Sequence, residues 1–261
     1  MPNTSPLRYP GGKTRACKKL DEILNTHFDI TKFDHVVSPF FGGGSFEFYL
    51  QNKYGWGITA NDKFKPLYCF WNVCKTNNAE LCQSLYVKLN TITKADFLEM
   101  RNNIMQEQNE LKQSMMYFVI NRCSFSGATL SGGFSLESSK SRFTQSSVDR
   151  IKNLNLSDVN ITNHDFKQCI EENDSETRCL FLDPPYYLKQ KSKLYGKNGD
   201  MHEHFSHEGL YECVSKKKNW FMTYNNCDYI KELYKNYTII ETNWSYGMNK
   251  SKKSSEIVII G

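Results

Sequence analysis

Several features that define other classes of protein are missing from this sequence. No stretch approaches the roughly 20 consecutive apolar residues of a membrane-spanning helix, and the N-terminus lacks the apolar core of a secretory signal. The nine cysteines include no Cys-x-x-Cys pair, which argues against a disulfide framework and favours reduced thiols. Residues 200–207 hold three histidines, but without a second cluster of ligands we expect no metal site. We expect a soluble, intracellular protein.

The composition is that of a packed globular protein. Hydrophobic residues make up 39% and aromatic residues 14% of the 261 positions, which is typical of a folded chain. This length predicts one large α/β domain or a core domain with a helical insertion. The net charge of +5 is mild, but four lysines crowd behind an Asp-Pro-Pro-Tyr motif and favour a polyanion as partner. They are Lys189, Lys191, Lys193 and Lys197, and the first three are candidate DNA contacts.

Strand and helix patterns alternate at both ends of the chain. Apolar residues predict a strand at 34–37, a helix at 46–51 and a strand at 56–60. Residues 64–120 have a polar helical pattern, and the Ser/Gly-rich residues 124–147 are typical of loops. The alternation then resumes, with strands predicted at 158–162, 178–183, 219–224, 237–242 and 255–260 and helices at 166–172, 206–217 and 227–234. This order is typical of an α/β sheet.

A glycine turn follows the first predicted strand. Gly42 and Gly44 would let the backbone approach a ligand closely, and Asp62, after the second strand, is placed to accept hydrogen bonds from ribose hydroxyls. No Gly-Lys-Ser/Thr follows the glycines, which excludes a Walker-type phosphate loop. The spacing therefore favours an adenosine-bearing cofactor.

The motif Asp183-Pro184-Pro185-Tyr186 ends another buried strand. Open α/β sheets bind their ligands at the carboxyl ends of the strands. The two prolines fix the backbone and remove two N–H donors, so a carbonyl of this loop can stand beside the Asp183 carboxylate as a rigid acceptor. Such a pair suits an exocyclic amino group, and Tyr186 offers a face on which a base could stack. The alternative reading is a tight surface turn.

These motifs occur in an order that resembles the Dam-type, alpha-group adenine-N6 DNA methyltransferases. The resemblance extends over nearly the whole chain. The motifs are Arg8 to Lys13, Pro39 to Gly44, Asp62, His164-Asp165-Phe166, Asp183-Pro184-Pro185-Tyr186, Phe205-Ser206-His207 and Thr223-Tyr224-Asn225-Asn226. Several motifs in one order are far more specific than any one of them.

The resemblance implies a Rossmann-like α/β sheet of the S-adenosylmethionine-dependent methyltransferase type, with helices on both faces and a helical and loop insertion for target recognition. It assigns residues 1–63 and 156–261 to the catalytic domain and residues 64–155 to the insertion. S-adenosylmethionine is the implied cofactor. Its implied contacts are Tyr9, Lys13, Phe40, Gly42, Gly44, Asp62, Asp165 and Asp183. One departure is visible: an acidic residue commonly precedes the Pro-Phe of the glycine motif, and here Ser38 stands there.

The insertion is similar to a region that enters double-stranded DNA in this family. Arg122 and Arg142 are candidate base or phosphate contacts, and Phe125, followed by Ser126, is a candidate wedge into the base stack. The target adenine has to rotate out of the duplex before the methyl donor can reach it. We expect Asp183 and the Pro184 carbonyl to accept its two amino hydrogens while Tyr186 stacks on the ring.

Three readings stay open from the sequence alone. The first is a site-specific adenine-N6 DNA methyltransferase. The second is a catalytically weak or inactive nucleic-acid-binding protein of the same fold, which only the Ser38 departure favours. The third changes the acceptor to cytosine N4 or to RNA, although Asp183, where Ser is common among cytosine-N4 enzymes, favours adenine. The recognised DNA sequence, a partner restriction endonuclease and the oligomeric state do not follow from the residues.

Overall fold

A computed structural model of the chain describes residues 2–9, 11–127, 129–187, 205–245 and 253–261. A seven-stranded sheet runs through this described part. In chain order its strands are β1 (His35–Ser38), β2 (Gly57–Asn61), β3 (Val159–Thr162), β4 (Arg178–Leu182), β5 (Trp220–Asn225), β6 (Thr238–Ser245) and β7 (Lys253–Ile260).

The strand order across the sheet is β3-β2-β1-β4-β5-β7-β6. The first five strands of this order are parallel, and β7 pairs antiparallel with both β5 and β6. Val36 of β1 pairs with Ile58 on one side and with Cys179 on the other. The order reverses between β1 and β4, which makes the carboxyl ends of these two strands the switch point where such sheets bind ligands.

Helices cover the sheet and also fill the segment between β2 and β3. The α-helices of the described residues are α1 (Cys17–His27), α2 (Ser45–Tyr54), α3 (Lys65–Thr76), α4 (Asn78–Lys88), α5 (Lys94–Asn103), α6 (Glu110–Cys123), α7 (Leu136–Ser141), α8 (Gln145–Lys152), α9 (Phe166–Glu172), α10 (His207–Val214) and α11 (Asp228–Leu233). Short 3₁₀ turns occur at Ile30–Lys32, Phe125–Gly127 and Thr129–Ser131.

Successive residues of the strands face opposite sides of the sheet. Val36 packs in a cluster with α1 to α6 and α8, whereas its neighbour Val37 packs in a second cluster with α9, α10 and α11. This alternation follows from the two-residue period of a strand. The sheet therefore carries helices on both faces, as the sequence predicts.

The helices between β2 and β3 share one hydrophobic cluster with the sheet. Phe70 and Trp71 of α3 belong to the same cluster as Val36 and Ile58. The described residues of 64–155 therefore pack against the seven-stranded sheet and share its hydrophobic core. The functional division at residues 63/64 and 155/156 stays a prediction.

The loop prediction for residues 124–147 is wrong in part. Helix α7 and the start of α8 fall in this stretch, and the serines and threonines that indicated loops act as helix caps. The Ser135 side chain accepts a hydrogen bond from the Ser138 N–H, and Thr144 forms a capping box with Ser147. These residue types favour turns and helix N-termini alike, so composition does not separate the two.

None of the helices in the described ranges has both the length and the apolar composition needed to cross a membrane.

Candidate active site

The carboxyl ends of β1, β2 and β4 bring the predicted site residues to one edge of the sheet. β1 leads into the glycine turn, β2 into Asp62 and β4 into Asp183. Because these strands are parallel and adjacent, their ends meet at the switch point. Side chains from several other elements hold the site residues in position there.

The Asp183 carboxylate is held from two sides. Lys13 Nζ lies 2.8 Å from Oδ1 and 2.7 Å from Oδ2, and the Thr223 hydroxyl of β5 donates to Oδ1 at 2.6 Å. Lys13 is only 4% exposed and also donates to the Gly11 carbonyl at 3.0 Å. The Asp183 side chain is 23% exposed. A buried lysine and a buried threonine thus fix a carboxylate that still reaches the surface.

The contacts of Asp183 leave it some accepting capacity. A carboxylate offers about four lone-pair sites. Lys13 and Thr223 direct three contacts at them, two of which fall on Oδ1. A further donor can therefore be accepted most easily at Oδ2. Among the described residues, no donor bonds to the carbonyl of the buried Pro184, so the residue that follows Asp183 offers a second acceptor.

Tyr186 is fixed at its hydroxyl end. Its hydroxyl donates to Glu256 Oε2 of β7 at 2.6 Å, and Glu256 is buried. Lys13 Nζ lies 5.3 Å from the centre of the Tyr186 ring, and the ring of Tyr224 lies 6.0 Å away at a tilt of 33°. The ring is therefore held in place beside the Asp183–Lys13 pair and is only half-buried.

Aromatic side chains of the protein itself pack against the glycine turn. Gly42 and Gly44 have φ of 51° and 65°, a region that favours glycine. A Cβ on Gly42 would lie 2.8 Å from the Tyr9 ring, and a Cβ on Gly44 would lie 2.3 Å from the Phe41 ring. The structure thus gives both glycines a packing reason, and it places Tyr9 over the turn.

Asp62 organises the same turn from the end of β2. Its carboxylate accepts the Gly42 N–H at 3.0 Å and the Phe64 N–H at 2.9 Å. Burial raises the pKa of Asp62 to about 6, although these two backbone donors act in the opposite direction. The carboxylate retains accepting capacity beyond the two N–H groups, as hydrogen bonds to ribose hydroxyls require.

The buried side chain of Asn61 joins the ends of three strands. It donates to the carbonyls of Pro39 after β1 and of His164 after β3, and it accepts from the His164 N–H. The sequence places Asn61 at a strand end but gives no sign of this role. Thr223 is a similar case, since its motif was recognised without a role for the hydroxyl.

Asp165 and Phe40 both lie at the N-terminus of α9. Asp165 caps α9 by accepting the Lys167 N–H and forms an exposed ion pair with Lys63 at 2.8 Å. The pKa of Asp165 is lowered because its hydrogen bonds and the nearby lysines outweigh its partial burial. Phe40 is half-buried and contacts the ring of Phe166 at 5.7 Å. Cofactor contact by either residue stays a prediction.

The predicted DNA contacts differ sharply in exposure. Phe125 is 69% exposed, and Arg142 is exposed at the end of α7. Arg122 is 7% exposed, and it donates to the Arg142 carbonyl at 2.7 Å and the Pro6 carbonyl at 3.3 Å. Burial and neighbouring arginines lower its pKa to about 10. This placement does not match a surface contact to a base or phosphate, so Arg122 is better explained as a support of the loop.

Some predicted residues lie outside what the structure describes. Lys189, Lys191 and Lys193 fall outside the described ranges, and the side chain of Ser126 is not described. Their contacts to DNA stay predictions. Within the described ranges, no group of three or more His, Cys, Asp or Glu side chains could hold a metal ion.

Comparison with known proteins gives the same result as the motifs. A profile of the D12 class N6 adenine-specific DNA methyltransferases matches residues 9–248. The Type II methyltransferase M.MjaIII of Methanocaldococcus jannaschii is 23% identical over 259 aligned positions, which cover 89% of this chain and 88% of that protein. The family match includes the glycine turn, Asp62 and the Asp-Pro-Pro-Tyr motif. The chain therefore belongs to the D12 class of N6 adenine-specific DNA methyltransferases.

Proposed function

We propose that this adenine-N6 DNA methyltransferase uses Asp183 and the Pro184 carbonyl as a fixed pair of acceptors for the amino group of an adenine that has rotated out of the duplex. One observation carries the proposal. Lys13 and Thr223 hold the Asp183 carboxylate at the switch point, beside a proline carbonyl that no described donor occupies. An acceptor pair fixed before the substrate arrives needs little reorganisation during the reaction.

The adenine amino group offers two hydrogens. One would bond to Asp183 Oδ2 and the other to the Pro184 carbonyl, so that the nitrogen lone pair is less conjugated with the ring and is directed away from both acceptors. Positive charge would develop on this nitrogen as it takes the methyl group from the sulfonium, whose bonding pair stays on sulfur to leave a neutral thioether, and one amino hydrogen would then leave the nitrogen as a proton to solvent. The Asp183 carboxylate stabilises that charge more strongly in the transition state than in the ground state, which is the condition for accelerating the reaction.

Tyr186 would receive the extruded base on its half-buried face. Its hydroxyl bond to Glu256 fixes the ring before the base arrives. Stacking on an aromatic ring contributes about 1–3 kcal/mol per base, which is comparable with the few kcal/mol that extrusion costs. The ring therefore offsets much of the cost of removing adenine from the stack.

The family uses S-adenosylmethionine, and the donor set at the strand ends fits such a ligand. Asp62 has the position and accepting capacity for ribose hydroxyls, and Tyr9, Gly42 and Gly44 form the turn beside it. The proposed cofactor contacts are completed by Lys13, Phe40, Asp165 and Asp183. When bound, S-adenosylmethionine supplies a methyl group on a positively charged sulfur, which is already activated toward a nitrogen nucleophile.

Phe125 and Arg142 would contact the DNA. Phe125 begins a 3₁₀ turn directly after the Ser124–Phe134 bridge, and its own N–H donates to the Gly133 carbonyl at 2.9 Å. An exposed aromatic residue on such a loop suits insertion into a base step. Burial lowers the pKa of Arg8, and the charge of Arg142 lowers it further. A phosphate at Arg142 would relieve this accumulation of positive charge.

The proposed function is tested by following labelled methyl transfer from S-adenosylmethionine to unmethylated duplex DNA. Hydrolysis of the product to nucleosides and mass spectrometry then separate N6-methyladenine from N4-methylcytosine, and modification-sensitive sequencing locates the site. We expect N6-methyladenine at a short sequence. Methylcytosine alone would contradict the proposed acceptor, and label in RNA but not DNA would contradict the proposed substrate.

A further inference from the structure

A second carboxylate is buried at the end of β1. Glu47 lies in the first turn of α2, is 3% exposed and accepts a hydrogen bond from the fully buried Ser38 hydroxyl at 2.6 Å. Ser38 is the last residue of β1, directly before the glycine turn. The carboxylate therefore lies at the switch point, although it comes from the helix and not from the strand.

The charge of Glu47 has little compensation inside the protein. Among the described residues, no lysine, arginine or histidine forms an ion pair with Glu47, and Lys13 bonds directly to Asp183 instead. The facing charged and titratable groups are Lys13 and Asp183 across the strand ends and Cys17 on α1. Burial raises the pKa of Glu47 to about 7, against the opposing effect of the Ser38 hydrogen bond, and the smaller effects of the Asp183 and Lys13 charges act in opposite directions. A buried carboxylate without an ion-pair partner is stabilised when a ligand brings a positive charge next to it.

We propose that Glu47, held by Ser38, binds the α-ammonium group of the methionine part of S-adenosylmethionine. The inference rests on the proposed function, since it concerns the same cofactor. A ligand that spans from Asp62, at the end of β2, toward Asp183, at the end of β4, has to pass the end of β1, where Ser38 and Glu47 lie. S-adenosylmethionine carries its ribose and its amino-acid part on opposite sides of the sulfur, which matches this order.

The proposal also accounts for the departure at position 38. Where the resemblance implies an acidic side chain before Pro39, this chain has Ser38, and it carries an acid nine residues later whose carboxylate accepts a hydrogen bond from that serine. The sequence alone gives no reason to connect the two positions. The alternative is a purely structural Glu47 that interacts with the N-terminus of α2, where an acid is favourable.

Two ligands separate these readings. S-adenosylhomocysteine carries the amino-acid part, whereas 5′-methylthioadenosine shares its adenosine and thioether but lacks the ammonium and carboxylate. Binding of both ligands would be measured by calorimetry for the wild type, Glu47→Gln and Ser38→Ala. The matched control is Asp21→Asn, which alters a buried carboxylate bonded to Lys53 and Tyr54 on the α1 side.

For Glu47→Gln we expect affinity for S-adenosylhomocysteine to fall about 10- to 100-fold, in line with the loss of one charged hydrogen bond. Affinity for 5′-methylthioadenosine should change less than about twofold, because the adenosine contacts remain. Ser38→Ala should show a smaller loss with the same selectivity, and Asp21→Asn should show neither. An equal loss for both ligands, or no loss for either, would overturn the proposal in favour of a structural Glu47.

The pH dependence gives a second readout. The carboxylate has to be ionised to bind the ammonium, so wild-type affinity for S-adenosylhomocysteine should weaken as the pH falls from 7.5 to 6, through the pKa of about 7. Glu47→Gln should lose this component, whereas any contribution of Asp62, whose pKa is about 6, remains in both proteins. Cys17 stays neutral because burial raises its pKa to about 12. An unchanged pH profile in the variant would contradict the proposal.

Failure of the inference is distinguishable from failure of the proposed function. A wild-type protein that binds neither ligand and transfers no methyl group contradicts the proposed function itself. A wild type that binds and methylates, beside a Glu47→Gln variant without ligand selectivity, contradicts only the role of Glu47.

Discussion

The strand-end site and the loop that carries Phe125 are built in opposite ways. At the strand ends, Lys13, Thr223 and Asn61 are buried and hold other groups, Lys13 and Asn61 through several hydrogen bonds each and Thr223 through its bond to Asp183. In the loop of residues 124–134, backbone hydrogen bonds and the Ser124–Phe134 bridge join the flanks, and the Phe125 side chain is 69% exposed. The strand-end side chains are fixed before substrate arrives, whereas the Phe125 side chain is exposed to a partner.

The strand-end site serves the chemistry, whereas the loop that carries Phe125 serves access to the base. Stabilising charge on one nitrogen requires acceptors within a few tenths of an ångström of their final positions, which buried hydrogen bonds provide. Opening a DNA duplex requires a side chain that can move from water into the base stack. The exposed Phe125 is such a side chain. Substitutions can disable each region separately. Loss of the strand-end site should appear in the rate of methyl transfer, and loss of the loop should appear in activity on duplex DNA.

The largest effect is expected for Asp183→Asn. The amide keeps the shape of the side chain but loses the charge that faces the reacting nitrogen, so single-turnover methyl transfer should fall at least about 10³-fold. Lys13 would lose its charged partner, so a decrease of about 1–3 kcal/mol in the free energy of unfolding is also expected. Rapid-quench measurements on folded protein, checked by circular dichroism, separate the two effects.

The control for that variant is Asp158→Asn, which neutralises an exposed carboxylate and should leave the rate within about twofold and the free energy of unfolding within about 0.5 kcal/mol of the wild type. Single-turnover rates near wild type for folded Asp183→Asn would remove Asp183 from the mechanism.

A smaller and more selective effect is expected for Phe125→Ala. Without the wedge, the enzyme has to wait for spontaneous opening of the base pair, so methylation of a duplex should fall about tenfold, equivalent to roughly 1.4 kcal/mol of barrier. Methylation of a single strand with the same target should change little. Rates on paired and single-stranded oligonucleotides give the ratio directly, and an equal decrease on both would reject the wedge.

Variants of Arg142 and Arg122 should distinguish a surface contact to DNA from a residue that supports the fold. Arg142→Ala should weaken DNA binding a few-fold and reduce the slope of log affinity against log salt by about one. Arg122→Met leaves the Pro6 and Arg142 carbonyls without their donor, so it should lower the free energy of unfolding by about 2–3 kcal/mol. Fluorescence anisotropy in a salt series and urea titrations test the pair. A salt slope altered by Arg122→Met but not by Arg142→Ala would reverse the assignment.

The sequence predicts the framework of the site well because its signals are local. The strands that precede the glycine turn, Asp62 and Asp183 are short apolar runs bounded by turn residues, and parallel pairing then brings their ends together. The motif order predicts the family, which the family match confirms. The α/β fold with helices on both faces follows from the same patterns.

The rest depends on contacts between distant parts of the chain. Arg122 is buried because the chain near Pro6 returns to accept its hydrogen bond, a separation of 116 positions. Thr223 reaches Asp183 across neighbouring strands, 40 positions apart. Glu47 reads as an ordinary acid in a helical first turn until Ser38 is seen to bond to it. Periodicity and composition carry no information on such pairs.

A crystal structure with S-adenosylhomocysteine and a duplex bearing the mapped target sequence tests the central claim most directly. The account predicts an extruded adenine stacked on Tyr186, with its amino nitrogen about 2.7–3.2 Å from both an Asp183 carboxylate oxygen and the Pro184 carbonyl oxygen. An adenine extruded into a different pocket, with the Asp183 carboxylate facing bulk water and remote from the ligand sulfur, would contradict it.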